Sequence, residues 1–131
     1  MTNINEHTTD VTTTVDGYLS AWNERDPRRR AELIERVWAP DGRLIDPPLT
    51  GEGHQGISDV AGAVHELYAG HRFRRASEVD QHHDHLRFAW ELVGPGGEVA
   101  LRGLDVGELA ADGRLQRITG FFGELPALQG A

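Results

Sequence analysis

EVALRGLDVGEL, Glu98 to Leu109, is the stretch on which the fold turns. Read as a strand it alternates sides, so Leu101, Gly103, Asp105, Gly107 and Leu109 share one face, while Arg102, Leu104 and Val106 share the other. Asp105 is then a carboxylate on an inward, otherwise apolar face. The glycines either side of it leave room for a ligand or mark bulges in a curved sheet.

Neighbouring segments supply the rest of a sheet. GPGG at 94–97 turns the chain back from HLRFAWELV, whose Leu86, Phe88, Trp90 and Leu92 line one face. ADG at 111–113 makes the next reversal, into RLQRITGFFGE. HRFRRASEV reads as an edge strand and QHHD as a turn, which completes a four-stranded antiparallel meander.

Towards the N-terminus the period becomes helical. Val11, Val15, Tyr18, Leu19 and Trp22 form the stripe of a first helix from about residue 11 to 25, with Thr13 and Asp16 available as a capping box. Asp26-Pro27 restarts the chain as a second helix with Leu33, Ile34, Val37 and Trp38 inward, and Pro40 in the APDG turn ends it. RLIDPP is a short strand in which Asp46 takes the side of Leu44. The loop LTGEGHQG leads to a third helix, Ile57 to Ala69, with Ile57, Val60, Ala61, Val64, Leu67 and Tyr68 as its stripe and Gly70 as its stop. Three helices and a short strand followed by a meander make an α+β domain, helices on the concave side of a strongly curved, mainly antiparallel sheet. The domain spans 11–125, with flexible tails at 1–10 and 126–131.

Composition narrows the function. The 131 residues suit one domain with its own core. The absence of cysteine removes disulfides, thiolate metal sites and a thiol nucleophile. Thirteen basic residues, all arginine, against twenty-one acids give a net charge of -8, which disfavours nucleic acid. A polar N-terminus and no long apolar run predict a cytoplasmic protein without membrane association. No glycine-rich nucleotide loop and no nucleophile elbow occur. His71, His82, His83 and His85, with Asp80 and Asp84, raise the possibility of a metal. Adjacent His82 and His83 cannot face one point of a regular strand, however, so neither metal nor cofactor is expected. His65 falls off the apolar stripe and should be exposed, whereas His54 lies in a loop where it could cap a cavity.

Burial penalises a charged carboxylate, so an inward Asp46 or Asp105 should hold its proton to higher pH. Tyr18, on the buried stripe of the first helix, either fills volume or brings a hydroxyl to Asp105. Together the three can hold an enolate, one acid removing a proton beside a carbonyl while the tyrosine and a protonated acid stabilise the oxygen charge.

In order and spacing, YLSAWNERD, WAPDGRLIDPP, GHQGISDV and GLDVGELAADGRLQRITGFFGE resemble the nuclear transport factor 2-like (NTF2-like) superfamily, in particular its SnoaL-like polyketide cyclase group. The resemblance implies a cone of helices against a curved sheet around a deep pocket, and a homodimer formed through the outer sheet face with Arg102, Leu104 and Val106. Tyr18, Asp46 and Asp105 match the oxyanion tyrosine, general base and protonated acid of ketosteroid isomerases, and Phe122 matches a pocket aromatic. Trp22, Phe88, Trp90, Phe122 and His54 are the expected ligand contacts. The Asp-Arg-Asp arrangement of limonene-epoxide-hydrolase-like relatives matches poorly, because Arg102 falls opposite Asp105. The leading expectation is a cofactor-independent isomerase, cyclase or hydratase acting on a small hydrophobic carbonyl or epoxide compound. The competing one is a non-catalytic ligand-binding or dimeric interaction module.

Overall fold

The computed structural model describes residues 4–130. Three helices, α1 (Ile4–Asn23), α2 (Pro27–Val37) and α3 (Gly53–Leu67), cover one face of a seven-stranded sheet. The strands are β1 (Trp38–Ile45), β2 (Thr50–Glu52), β3 (Arg72–Arg75), β4 (Asp80–His82), β5 (His85–Val93), β6 (Val99–Leu109) and β7 (Leu115–Phe122). They run in the order β2-β1-β7-β6-β5-β3, and β4 also pairs with β5. This is the expected α+β architecture, with the core between the helices and the inner sheet face.

The first helix buries the stripe its spacing implies: Val11, Val15, Tyr18, Leu19 and Trp22 are all buried. Each large apolar side chain so removed from water contributes roughly 1.5–3 kcal/mol. The helix starts at Ile4 instead of near residue 11, so Thr13 and Asp16 lie within it and are no capping box at its start. The parts of the expected tails at 1–3 and 131 lie outside the described residues.

Asp26 caps α2 as anticipated, its carboxylate accepting from Arg29 N–H at 3.0 Å with Pro27 in the first turn. That helix stops at Val37, however. Trp38 is extended, and Ala39, restricted by the following Pro40, cannot be helical without a clash. Trp38 thus opens β1, and its buried ring covers Gly42, where a methyl group would strike it. Residues 39–42 are taken up by an irregularity between the pairs Trp38↔Leu115 and Arg43↔Arg117, so APDG is a bulged strand and not a turn.

Other differences follow from pairing across distance. β1 lies parallel to β7, which ties the N-terminal half into the meander. Thr50–Glu52 in the expected loop pairs with β1; of the expected edge strand at 71–79 only β3 is strand, while β4 takes Gln81 and His82 of the expected QHHD turn, and both β3 and β4 pair with β5. α3 begins at Gly53, which has φ 73°, a backbone conformation that glycine adopts without strain. Leu67 and Tyr68, expected on its buried stripe, are exposed. His65 is not exposed as expected: its Nε2 lies 2.6 Å from the Trp22 carbonyl oxygen, joining α3 to α1.

Arg30 is buried on the Ile34–Val37 face of α2. It donates through Nε to Ser58 Oγ of α3 at 2.9 Å and through Nη1 to the Glu24 carbonyl at 3.0 Å. That pair of bonds clamps the three-helix layer, and buried donors of a cation require such partners. Among the described residues no helix is long and apolar enough to cross a membrane.

Candidate active site

Three rows across the inner sheet face place the chemistry. Cross-strand register aligns Trp90, Gly103 and Phe122 in one row and Phe88, Asp105 and Gly120 in the next. Leu86, Gly107 and Ile118 form the third. Asp105 thus stands in the middle of the sheet, 3% exposed, with α1 across from it.

Tyr18 reaches down from α1 and donates its hydroxyl to Asp105 Oδ2 at 2.7 Å. From β5, Trp90 Nε1–H donates to Asp105 Oδ1 at 3.0 Å. An indole N–H can only donate, so Oδ1 must accept, and when Asp105 is neutral its proton sits on Oδ2 beside the tyrosine oxygen. Tyr18 can then accept from Asp105 and turn its own hydrogen towards the cavity.

Asp46 follows directly on β1, where its backbone N–H donates to the Leu49 carbonyl at 2.8 Å and fixes the Pro47-Pro48 turn. Its Oδ1 is buried without a hydrogen-bond partner among the described residues. Such an atom is costly to leave unsatisfied, which marks a place for a ligand hydrogen or a water. Gly120 explains how Asp46 approaches Asp105. A methyl group at Gly120 would overlap Asp46 Oδ1 and come within 2.9 Å of Asp105 Oδ1, so both acids converge on the space its missing side chain leaves.

Their electrostatics differ usefully. Burial pushes Asp46 up to about 6. Burial first, then the Asp46 charge, pushes Asp105 up to about 7 against the opposing hydrogen bonds from Tyr18 and Trp90. Tyr18 is held well above the usual tyrosine range by burial and by both acids. Asp46 therefore ionises first and Asp105 keeps its proton longer, which yields a base beside an acid near neutrality.

The pocket beside this group is lined by Tyr18, Asp46 and Asp105, by Trp22, Phe73, Trp90 and Phe122, and by aliphatic residues including Leu19, Leu49, Val64, Leu92 and Leu101. Leu67, Tyr68 and Phe122 are exposed at the same pocket. Trp22, Trp90 and Phe122 thus stand where the sequence put them. Phe88 does not: it is buried under Tyr18, with ring centroids 6.0 Å apart, and is absent from the lining. His54 is also displaced from its expected place at a cavity mouth. It sits in the first turn of α3 with Nε2 2.9 Å from the Trp38 carbonyl oxygen, and no part of it lines the pocket.

The glycines flanking Asp105 do not make the room anticipated for a ligand. The Trp90 indole fills the place above Gly103, and Ile118 with Leu86 fills that above Gly107. Gly120 and Phe73 are the residues sequence reading missed. Phe73 packs against Trp22 at 5.1 Å and Trp90 at 5.4 Å, and its alternation with Arg72 and Arg74 was the available signal.

Among the described residues no group of three or more His, Asp or Glu side chains is placed to hold a metal ion. His82 and His83 face each other through their Nδ1 atoms at 3.1 Å and His85 pairs with Asp84 at 2.8 Å, all exposed at the hairpin that joins β4 to β5. Arg102 lies on the outer sheet face and pairs with Glu91 at 3.3 Å, so it forms no Asp-Arg-Asp group with the two acids.

The SnoaL-like domain family matches the chain over residues 15–118. Among solved structures, a candidate isomerase of the SnoaL-like family from Agrobacterium tumefaciens strain C58 is 38% identical, with a TM-score of 0.84 over 88% of this chain and 99% of that one. A candidate polyketide cyclase from Sinorhizobium meliloti is 17% identical, with a TM-score of 0.67 over 87% of this chain and 98% of that one. A candidate SnoaL-like polyketide cyclase from Jannaschia sp. CCS1 is 17% identical, with a TM-score of 0.64 over 85% of each chain. At that identity the two cyclase-like structures attest the fold alone. No curated protein matches the chain.

Proposed function

We propose that this chain, which belongs to the SnoaL-like domain family, is a cofactor-independent enzyme that enolises a small apolar carbonyl compound. Asp46 takes a proton from the carbon next to the carbonyl, and Tyr18 with neutral Asp105 stabilises the enolate oxygen. The carrying observation is the buried, unpartnered Asp46 Oδ1 converging with Asp105 over Gly120. An enolate places the reacting carbon and oxygen side by side, which suits a base and an acid drawn this close. Returning the proton to a different carbon gives an isomerase, and the 38% identical relative described as a candidate isomerase favours that outcome over cyclisation.

Hydration of an epoxide is the weaker variant, because Arg102 is turned away from the acids. A second reading, ligand binding without catalysis, draws on the two hydrogen bonds that already satisfy Asp105, as in a purely structural polar network. A neutral phenol mimics the enolate and separates these readings. Its binding should weaken by about tenfold or more in Asp105→Asn combined with Tyr18→Phe, in keeping with about 1.4 kcal/mol per factor of ten. Equal affinity for wild type and double variant would remove both residues from the site.

The outer sheet face carries the proposed dimer. Leu104 is paired with Phe121 across β6 and β7, and their exposures are 37% and 57%, beside Val106 at 36%. A second copy applied to this face would cover all three, as the family resemblance implies. Sedimentation equilibrium should give a dimer for wild type and a monomer for Phe121→Glu; a monomeric wild type at micromolar concentration would exclude it.

A further inference from the structure

The chamber opens where Leu67, Tyr68 and Phe122 are exposed, and the space beside the acids is small. Its volume is about 120 Å³, close to the roughly 150 Å³ of an apolar protein cavity that accommodates one benzene ring. Trp22, Phe73, Trp90 and Phe122 form a continuous aromatic wall, each ring touching the next with centroids 5.1, 5.4 and 5.7 Å apart. The Trp90 indole is further held over Gly103 and by its bond to Asp105. Widening the chamber requires breaking ring contacts or that hydrogen bond, which close packing resists.

Charge narrows the choice again. Among the described residues no arginine or histidine lines the chamber, and the ionisable carboxyls that line it are Asp46 and Asp105. A carboxylate or phosphate on the ligand would lose its hydration with no cation to meet it and would face the Asp46 charge.

From these two features, and resting on the enolising reading above, we infer that the substrate is an uncharged carbonyl compound of one ring or equal compactness. The aromatic wall, with Trp22 as its removable part, leaves no room inside the chamber for a second fused ring. This bounds both the size and the charge of what the two acids act on.

Calorimetric titration at neutral pH with p-cresol, 2-naphthol and 4-hydroxybenzoate tests the inference on wild type and Tyr18→Phe. p-Cresol should bind about tenfold more tightly than 2-naphthol, although naphthol is the more hydrophobic, because the second ring overfills the chamber. 4-Hydroxybenzoate should be weaker than p-cresol by at least about the same factor. Trp22→Ala should reverse the cresol–naphthol order, while the wild-type series decides the matter even where that variant does not fold. If 2-naphthol binds as tightly as p-cresol and both weaken in Tyr18→Phe, the size limit is wrong and the enolising site stands. If 4-hydroxybenzoate matches p-cresol, the charge limit is wrong. If no phenol binds, or binding ignores Tyr18→Phe, the enolising reading falls and takes this inference with it.

Discussion

Asp46→Asn is expected to slow α-proton exchange of a neutral cyclic ketone in deuterated water by about 10²–10⁴-fold, the usual worth of a positioned general base. The substitution keeps size and removes only the ability to take a proton. Gly120→Ala should produce a loss of the same order without altering either acid, since its methyl group would overlap Asp46 Oδ1 and force the carboxylate aside. The pH dependence has a defined sign. Asp46 must be ionised, so the rate climbs as pH rises through about 6; Asp105 must keep its proton, so the rate declines as pH passes about 7. The two limbs give a bell with a narrow top, and its midpoints belong to the coupled pair. Nuclear magnetic resonance of deuterium uptake measures both effects. Unchanged exchange in Asp46→Asn would assign the base elsewhere.

The residues that converge were legible for local reasons. Tyr18 lies on a helical stripe without interruption, and Asp105 lies on a strand whose pairing with β5 and β7 stays in register from Gly103 to Gly107. Alternation therefore placed both side chains inward, and Asp46 followed Leu44 by the same rule. Gly120 was opaque because its importance comes from the side chains of Asp105 on β6 and of Asp46 beyond the end of β1, a matter of how β7 is registered between those two strands. The parallel pairing of β1 with β7 was hidden too, since it joins segments far apart in the chain with no local signature. His54 and His65 each bind a backbone carbonyl of another element, so composition and stripe position alone misplaced them. The end of α2 was misjudged because Trp38 fits the helical stripe as well as a strand, and only the restriction imposed by Pro40 on Ala39 separates the two.

Stability should fall as pH rises from 5 to 8, and Asp105→Asn should flatten much of that fall. Both acids have folded-state values raised above the ordinary 3.8, so between pH 4 and 7 the folded chain holds more protons than the unfolded one. Where the folded state binds the extra protons, stability declines with pH. The contribution is whole below about 3.8 and is lost through about 6 for Asp46 and about 7 for Asp105. At roughly 1.4 kcal/mol for each tenfold gain in proton affinity on folding, full ionisation costs on the order of 3 kcal/mol for Asp46 and 4 kcal/mol for Asp105. Asparagine at 105 cannot ionise, yet its amide can still accept from Trp90 and donate to Tyr18, so it keeps the packing and removes the larger penalty. Repulsion among the surface acids, at net charge -8, also grows with pH but is shared by both proteins and cancels in their difference. Urea midpoints at pH 5, 6, 7 and 8 should therefore diverge, with the variant the more stable by a few kcal/mol at pH 8 and the gap closing towards pH 5. Parallel curves would mean that Asp105 ionises in contact with water. A divergent pair would show that the acid proposed to hold an enolate is kept at a cost to the fold, the trade expected where a buried polar group serves chemistry.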